Sequence, residues 1–292
     1  MDIKRVQKGV SLKEFTTFRI GGKAEYFFEA ETKEELIGTI LEARVKNMAF
    51  FVLGGGSNIL VSDAGFKGLV ISLKFFDTEF LKNSRVRVEA GLSLASLVTS
   101  AARNKYSGLE WASGIPGTVG GAVCGNAGAF GRSMKDLIEE VEFFDVKKGK
   151  IKKFSGKLCE FDYRSSIFKN NSHYIILSVL MKLYKGKQEE IEEKMREYLD
   201  YRRERQPLMF PSAGSIFKNP KNDSAGRIID QAGLRGKKIG NVQVSEKHAN
   251  FIVNLGGGKA KDVVKLIELI KETVKEKFKI NLEEEIQYVG FN

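Results

Sequence analysis

Two segments of this chain consist almost wholly of small residues. SGIPGTVGGAVCGNAGAFG (113–131) holds seven glycines in nineteen residues and no charged side chain, and VLGGGSNIL (52–60) holds three glycines in a row. Glycine loses more conformational freedom on ordering than any other residue, so such runs stay loose unless something requires bare backbone. Consecutive small residues let the main chain approach a phosphate closely and aim several N–H donors at it, without a lysine. A P-loop would need Gly-Lys-Ser/Thr after its glycines, where this chain has Gly56, Ser57 and Asn58. A Rossmann fingerprint would need GxGxxG before a helix and an acidic residue about twenty positions on. Gly54-Gly55-Gly56 lacks that spacing, and GTVGGAVCGNAGAFG is too long for it. Tight packing and turns would explain one such cluster as well as a ligand does. Two clusters this close in sequence favour two loops gripping one extended diphosphate ligand.

Three further stretches carry polar groups suited to chemistry. DYRSSIF (162–168) sets Arg164 beside Tyr163 and two serines in an apolar context. Its forked guanidinium suits a carboxylate or a developing oxyanion, although an ion pair with Asp162 or Glu160 is the simpler reading of one arginine. AGSIFKNP (213–220) exposes Ser215 behind small residues, followed by Lys218 and Asn219. Ser215 reads as a cap or turn residue on composition; with no histidine close in sequence, any chemical role is proton donation rather than nucleophilic attack. LEEEIQYVG (282–290) reads as a strand, with Glu283, Glu285 and Gln287 on one face and Leu282, Glu284, Ile286 and Tyr288 on the other. A glutamate turned inward there would be an acid or an electrostatic partner. The two histidines, His173 and His248, read as structural, and Cys124 as a small apolar residue inside the glycine stretch.

Around these residues the sequence predicts alternating strands and helices. Thr32-Lys33-Glu34-Glu35 has the pattern of a capping box opening a helix with an apolar stripe of Leu36, Ile37, Ile40 and Leu41. Strands are expected at 49–53, 68–73, 85–90, 141–146 and 173–183, with a Ser93-capped helix over 93–105 and a charged helix over about 188–205. QPLMFPSAG then carries two of the four prolines and marks a boundary. The expected domains are 1–205, in two lobes of about 1–75 and 76–205, and a small α/β unit over 206–292. That unit holds a helix from near Ser224, a strand in HANFIVNL, a long amphipathic helix in KAKDVVKLIELIKETVKEKF and the strand at 282–290.

The 292 residues carry a net charge of +11. Lysines interleave with glutamates, as in EEIEEKMREYLDYRRER, and no nucleic-acid motif stands out; small phosphorylated ligands fit that dispersed excess. Two cysteines, Cys124 and Cys159, and two histidines argue against a disulfide framework or a structural metal. The start MDIKRVQKGVSLKEF lacks a signal-peptide pattern, and no apolar run reaches the length of a membrane span. The expectation is a cytoplasmic protein with no membrane, nucleic-acid or obligatory protein partner.

In order along the chain, TTFRIGGKAEYF, VLGGGSNILVSD, GIPGTVGGAVCGNAGAFG, DYRSSIFK, AGSIFKNP, VSEKHANFIVN and LEEEIQYVG resemble the motifs of the UDP-N-acetylenolpyruvoylglucosamine reductases. The resemblance spans nearly the whole chain. It implies an α+β fold: a two-lobed FAD-binding domain of the vanillyl-alcohol-oxidase type and a small substrate-binding domain. Gly54, Gly55, Gly56, Ser57 and Asn58 would lie along FAD with Gly114, Ile115, Pro116, Gly117, Gly121, Gly125, Asn126 and Gly128. Ser57 replaces the flavin-linking histidine of many proteins with this fold, which implies non-covalent FAD.

By the same resemblance NADPH passes hydride to flavin N5. The reduced flavin then delivers it to C3 of the enolpyruvyl group of UDP-N-acetylglucosamine-enolpyruvate, in peptidoglycan precursor synthesis and hence cell-wall biogenesis. Ser215 matches the acid that protonates C2, Arg164 and Glu285 match the groups that meet the developing charge, and Tyr163, Lys218 and Asn219 fall at substrate-binding positions. The short spacing around 200–215 resembles the compact type of the family. The chain departs from the commoner pattern at Asn241-Val242, where small residues are expected. The alternatives are an FAD-dependent sugar or alcohol oxidase of the same fold, which would not require Arg164, Ser215 and Glu285 together, and a catalytically silent nucleotide-sugar sensor.

Overall fold

The computed structural model describes residues 5–291; residues 1–4 and 292, at the ends of the expected domains, lie outside the described residues. The chain forms two compact units. The first takes in Phe27–Gly55 and Leu69–Tyr201 with Arg5 and Val6, and the second takes in Gln7–Tyr26, Gly56–Gly68 and the described residues from Arg202 onward. A single cut at 205/206 would place the segments at 7–26 and 56–68 with the first unit. Long-range hydrogen bonds account for their place in the second.

The first unit is built on a five-stranded antiparallel sheet. Its strands lie in the order Lys150–Ser155, Ile138–Asp145, Tyr174–Lys182, Arg85–Glu89 and Thr78–Leu81. Alternation fixes which face is inside: in RVRVE, Val86 and Val88 are fully buried while Arg85 and Arg87 are exposed. The turn at KKGK closes with Gly149 at φ +62, its N–H donating to the Asp145 carbonyl at 2.8 Å. Helix α1 spans Lys33–Val45, and the Thr32 hydroxyl accepts from the Glu35 N–H at 3.1 Å. The capping box is displaced by one residue, because the Glu35 carboxylate takes the N–H of Glu31. The buried stripe of α1 is Leu36, Thr39, Ile40 and Ala43, with Leu41 exposed. The core side is therefore rotated from the expected one, since the small residues Thr39 and Ala43 permit close packing.

Helices α2 (Leu94–Arg103), α3 (Val119–Cys124), α4 (Ile167–Asn170) and α5 (Gln188–Arg205, whose last residues belong to the second unit) complete this part. Strand Phe50–Leu53, which leads into the first glycine loop, pairs in parallel with Leu69–Ser72.

The second unit has a four-stranded antiparallel sheet in the order Ser212–Ser215, Phe251–Asn254, Val242–Val244 and Lys238–Ile239. Helices α6 (Ala225–Gln231) and α7 (Ala260–Phe278) pack on it. In α7 the buried stripe Val263, Leu266, Ile267, Ile270 and Val274 follows the helical repeat and joins Ile228, Val242, Val244 and Ile252 in one core. The N-terminal end of α7 is capped from afar: Asp63 accepts the N–H groups of Ala260 and Lys261 at 2.8 and 3.0 Å, a carboxylate where the helix dipole favours one. Thr17 and Ser212 exchange bonds of 2.7 and 3.1 Å. These ties hold 7–26 and 56–68 in this unit.

The expected strand at 282–290 is shorter in the structure. Only Gln287–Val289 forms a strand, pairing in parallel with Ile59–Val61. Leu282, Ile286 and Val289 are buried while Tyr288 is 40% exposed, so the two-residue alternation breaks before Tyr288. The stretch ahead of it is instead held to the backbone around Ile216. Among the described residues no helix is long and apolar enough to cross a membrane.

Candidate active site

The two glycine clusters meet within the first unit. A Cβ placed on Gly55 would sit 2.6 Å from the Gly117 Cα, and one on Gly54 would sit 2.7 Å from the Thr118 hydroxyl. These glycines permit main chain to cross main chain. Gly56 belongs to the second unit and has its own cause: φ is +60, and a Cβ would meet the Phe15 carbonyl at 2.0 Å.

Gly121 and Gly125 have no such cause. They lie one helical turn apart in α3 and at its C-terminal cap, both with negative φ. A Cβ on Gly121 would approach nothing closer than 3.5 Å, and one on Gly125 nothing closer than 3.6 Å. Neither packing nor backbone conformation requires glycine at these positions. A bare face without a protein neighbour is what a flat or anionic ligand pressed onto backbone demands, so these residues fit the FAD that the glycine pattern implies.

Beyond α3 the chain is fixed to the segment carrying Arg164. Asn126, 3% exposed and at φ +43, accepts the Lys135 N–H at 3.0 Å and donates to the Asp162 carbonyl at 2.8 Å. Ser166 donates to the Cys124 carbonyl at 2.7 Å and caps α4. Asp162 and Ser165 exchange backbone bonds of 3.1 Å, a tight turn that holds Arg164 at φ +54. Its Nη1 donates to the Gly128 carbonyl at 3.0 Å, and its guanidinium lies 5.5 Å from the Tyr163 ring. Arg164 is thus tied to the last glycine of the candidate loop, and Tyr163 is half-exposed beside it. Burial pushes the Cys124 thiol up to about 11, so at neutral pH it is a protonated packing residue.

In the second unit, Ser215 ends strand Ser212–Ser215, half-buried, behind Gly214 at φ +76. It neither starts nor caps a helix. Glu285 lies close in the fold, because its N–H donates to the Ile216 carbonyl at 2.8 Å. Asn58 holds the other side of Glu285: its Nδ2 donates to the Glu285 carbonyl at 3.1 Å, and its own carbonyl accepts the Gln287 N–H at 3.0 Å. Of the neighbouring glutamates, Glu283 pairs with Lys218, and Glu284 accepts Lys271 Nζ at 2.7 Å. Asn219 accepts the Ala225 N–H at 3.0 Å at the start of α6. Asn241 is exposed, and Val242 is wholly buried in the unit core.

Sequence reasoning read His248 as structural and passed over Asn250. The Asn250 N–H donates to His248 Nδ1 at 3.2 Å, which requires that nitrogen unprotonated. Burial, with a smaller contribution from Arg235, holds the imidazole below its ordinary value. A histidine depressed in this way contributes stability above its unfolded pKa of about 6.5 that is lost as pH falls through the folded value. Between pH 7.5 and 5, the urea midpoint of the wild-type protein is therefore expected to drop further than that of His248→Gln. Equal drops would remove His248 as the cause.

Residues 24–155 match the FAD binding domain family, and residues 206–289 match the C-terminal domain of UDP-N-acetylenolpyruvoylglucosamine reductase. A two-part α+β chain with these domains is an FAD-dependent oxidoreductase. The chain is 43% identical over 279 residues to the UDP-N-acetylenolpyruvoylglucosamine reductase of Caldanaerobacter subterraneus subsp. tengcongensis, covering 96% of this chain and 92% of that one. It is 41% identical over 292 residues to reductase 2 of Symbiobacterium thermophilum, covering 100% and 94%. The crystal structure of the Thermus caldophilus enzyme superimposes with a TM-score of 0.83 at 39% identity, covering 98% and 99%. The chain belongs to the UDP-N-acetylenolpyruvoylglucosamine reductase family.

Proposed function

We propose that the chain reduces the enolpyruvyl group of UDP-N-acetylglucosamine-enolpyruvate to give UDP-N-acetylmuramate, with NADPH as reductant. The observation that carries this reading is the backbone link that brings Ser215 and Glu285 to either side of Ile216. Neither an oxidase nor a silent sensor calls for a serine and a glutamate on backbone linked in this way.

FAD, when bound, supplies a carrier for two electrons and a hydrogen from NADPH to C3 of the enolpyruvyl double bond. We assign its hold to Gly54–Asn58, Gly114–Gly117, Gly121, Gly125, Asn126 and Gly128; the bare face of α3 supports this. Hydrogen arriving at C3 leaves an electron pair on C2 and the adjoining carboxylate. The Arg164 guanidinium, a fixed positive charge tied to the Gly128 carbonyl, is assigned to meet that charge, and Glu285 to assist it from beside the Ile216 backbone. Ser215 donates its hydroxyl proton to C2 and regains one from water. Tyr163, Lys218 and Asn219 bind the substrate, the Lys218 ammonium suiting its diphosphate.

The functional division that follows is an FAD-binding domain over 1–205 and a substrate-binding domain over 206–292. It is supported by where the two family matches fall. With both cysteines free, the cytoplasm is the compartment that suits the chain.

An anaerobic absorption spectrum tests the proposal. Flavin bands are expected to bleach on adding NADPH and to return on adding the enolpyruvyl UDP-sugar. Bleaching without recovery would leave a flavoenzyme acting on another acceptor.

A further inference from the structure

We propose that Asn250 is a positioning residue that sets the register of Ser215 and Glu285. The inference rests on the reading of Ser215 as the proton donor. Strand Ser212–Ser215 does not pair regularly with Phe251–Asn254: the register shifts between the Ser212–Val253 and Ser215–Phe251 pairs. The pairing stops at Ser215, and a side chain takes up main-chain groups just beyond it. Asn250 is 4% exposed. Its Oδ1 accepts the Phe217 N–H at 2.9 Å and its Nδ2 donates to the Phe217 carbonyl at 2.8 Å, so one amide takes both polar groups of one residue as a neighbouring strand would. The Asn250 carbonyl accepts the Ile216 N–H at 2.9 Å.

Both proposed reacting groups hang on the two residues held in this way. Ser215 immediately precedes Ile216, and the Ile216 carbonyl accepts the Glu285 N–H at 2.8 Å. Lys218 follows Phe217 and donates its N–H to the Glu283 carbonyl at 2.8 Å. A shift of the Ile216–Phe217 backbone would therefore move the donor hydroxyl, the carboxyl group and the candidate diphosphate-binding lysine together. Asn250 is held in turn by its N–H bond to His248. An aspartate or glutamine would not substitute: the first loses the donor, and the second carries its amide one methylene too far.

The test measures the two half-reactions of the FAD-loaded protein separately by stopped flow. Amide exchange over residues 212–219 reports directly on the clamp. Asn250→Ala removes both side-chain bonds; Asn250→Ser keeps one hydroxyl and is the variant to use if the alanine protein does not fold. Expected are flavin reduction by NADPH within about twofold of wild type, faster exchange at Phe217, and reduction of the enolpyruvyl substrate slowed by about 10²-fold. That last figure is the size of effect a misplacement of about 1 Å produces. Serine should fall between alanine and wild type. Equal slowing of both half-reactions, or faster exchange at Phe217 with the second half-reaction intact, overturns the proposal. Ser215→Ala run in parallel separates the two readings. If it is slow while the Asn250 variants are not, Asn250 is merely structural. If it reduces the substrate at the wild-type rate, the proton-donor reading has failed and the positioning inference falls with it.

Discussion

Ser215→Ala is expected to take up hydride from NADPH at close to the wild-type rate and to deliver it to the enolpyruvyl substrate about 10²–10⁴-fold more slowly, the range that a positioned general acid contributes. The asymmetry follows from where a proton is needed. Flavin reduction by a nicotinamide draws nothing from Ser215. Saturation of the enolpyruvyl double bond needs a proton at C2, and without the hydroxyl that proton must come from water with no fixed geometry. Ser215 is half-buried at a strand end, so loss of one oxygen leaves the unit core untouched and folding should be preserved. The measurement is single-turnover reduction followed by reoxidation under anaerobic conditions. Equal slowing of both steps would falsify the assignment, because it would place Ser215 with the flavin.

The glycine loops were legible as places where bare backbone is needed, because composition alone exposes seven glycines in nineteen residues. The strand of alternating valines at 85–89 and the helices opened by Ser93 and Ser224 were legible because each depends on neighbours two to four positions away. Contacts distant in sequence were not. Asp63 caps α7 across 197 residues, and no periodicity announces a carboxylate that serves a helix so far along the chain. The sharing of 7–26 and 56–68 with the second unit was hidden for the same reason. The glutamate-rich stretch misled because strand alternation presumes a ladder throughout, whereas the backbone of 283 and 285 is tied to that of Lys218 and Ile216 by only one bond each. Asn250 was invisible as a functional residue because a side chain that takes up main-chain groups beyond a strand end has no pattern of its own. VSEKHANFIVN could be matched as a motif, but what its asparagine grips is a property of the fold.

Gly121→Ala is expected to raise the stability of the FAD-free protein and to weaken FAD binding by about 10–100-fold, or about 1.4–2.7 kcal/mol. In α3 the added methyl meets no protein atom closer than 3.5 Å. An alanine in place of a helical glycine then gains up to about 1 kcal/mol through the reduced freedom of the unfolded chain. The same methyl projects from the face that would carry the cofactor, where close approach to backbone is the purpose of the glycine. Gly120→Ala, one residue earlier in the same helix, supplies the contrast. Its Cβ would lie 2.8 Å from the Ala90 Cβ and 3.1 Å from the Ala90 carbonyl, so overpacking should lower stability by about 1–3 kcal/mol, while its side of the helix leaves the bare face alone. Thermal unfolding of the FAD-free proteins and fluorescence titration with FAD measure the two quantities independently. Opposite signs for stability and affinity in Gly121→Ala would mean that this glycine is kept for a ligand rather than for the fold. An unchanged FAD affinity would move the cofactor off this face of α3 and leave the crossing of Gly55 with Gly117 as a matter of packing alone.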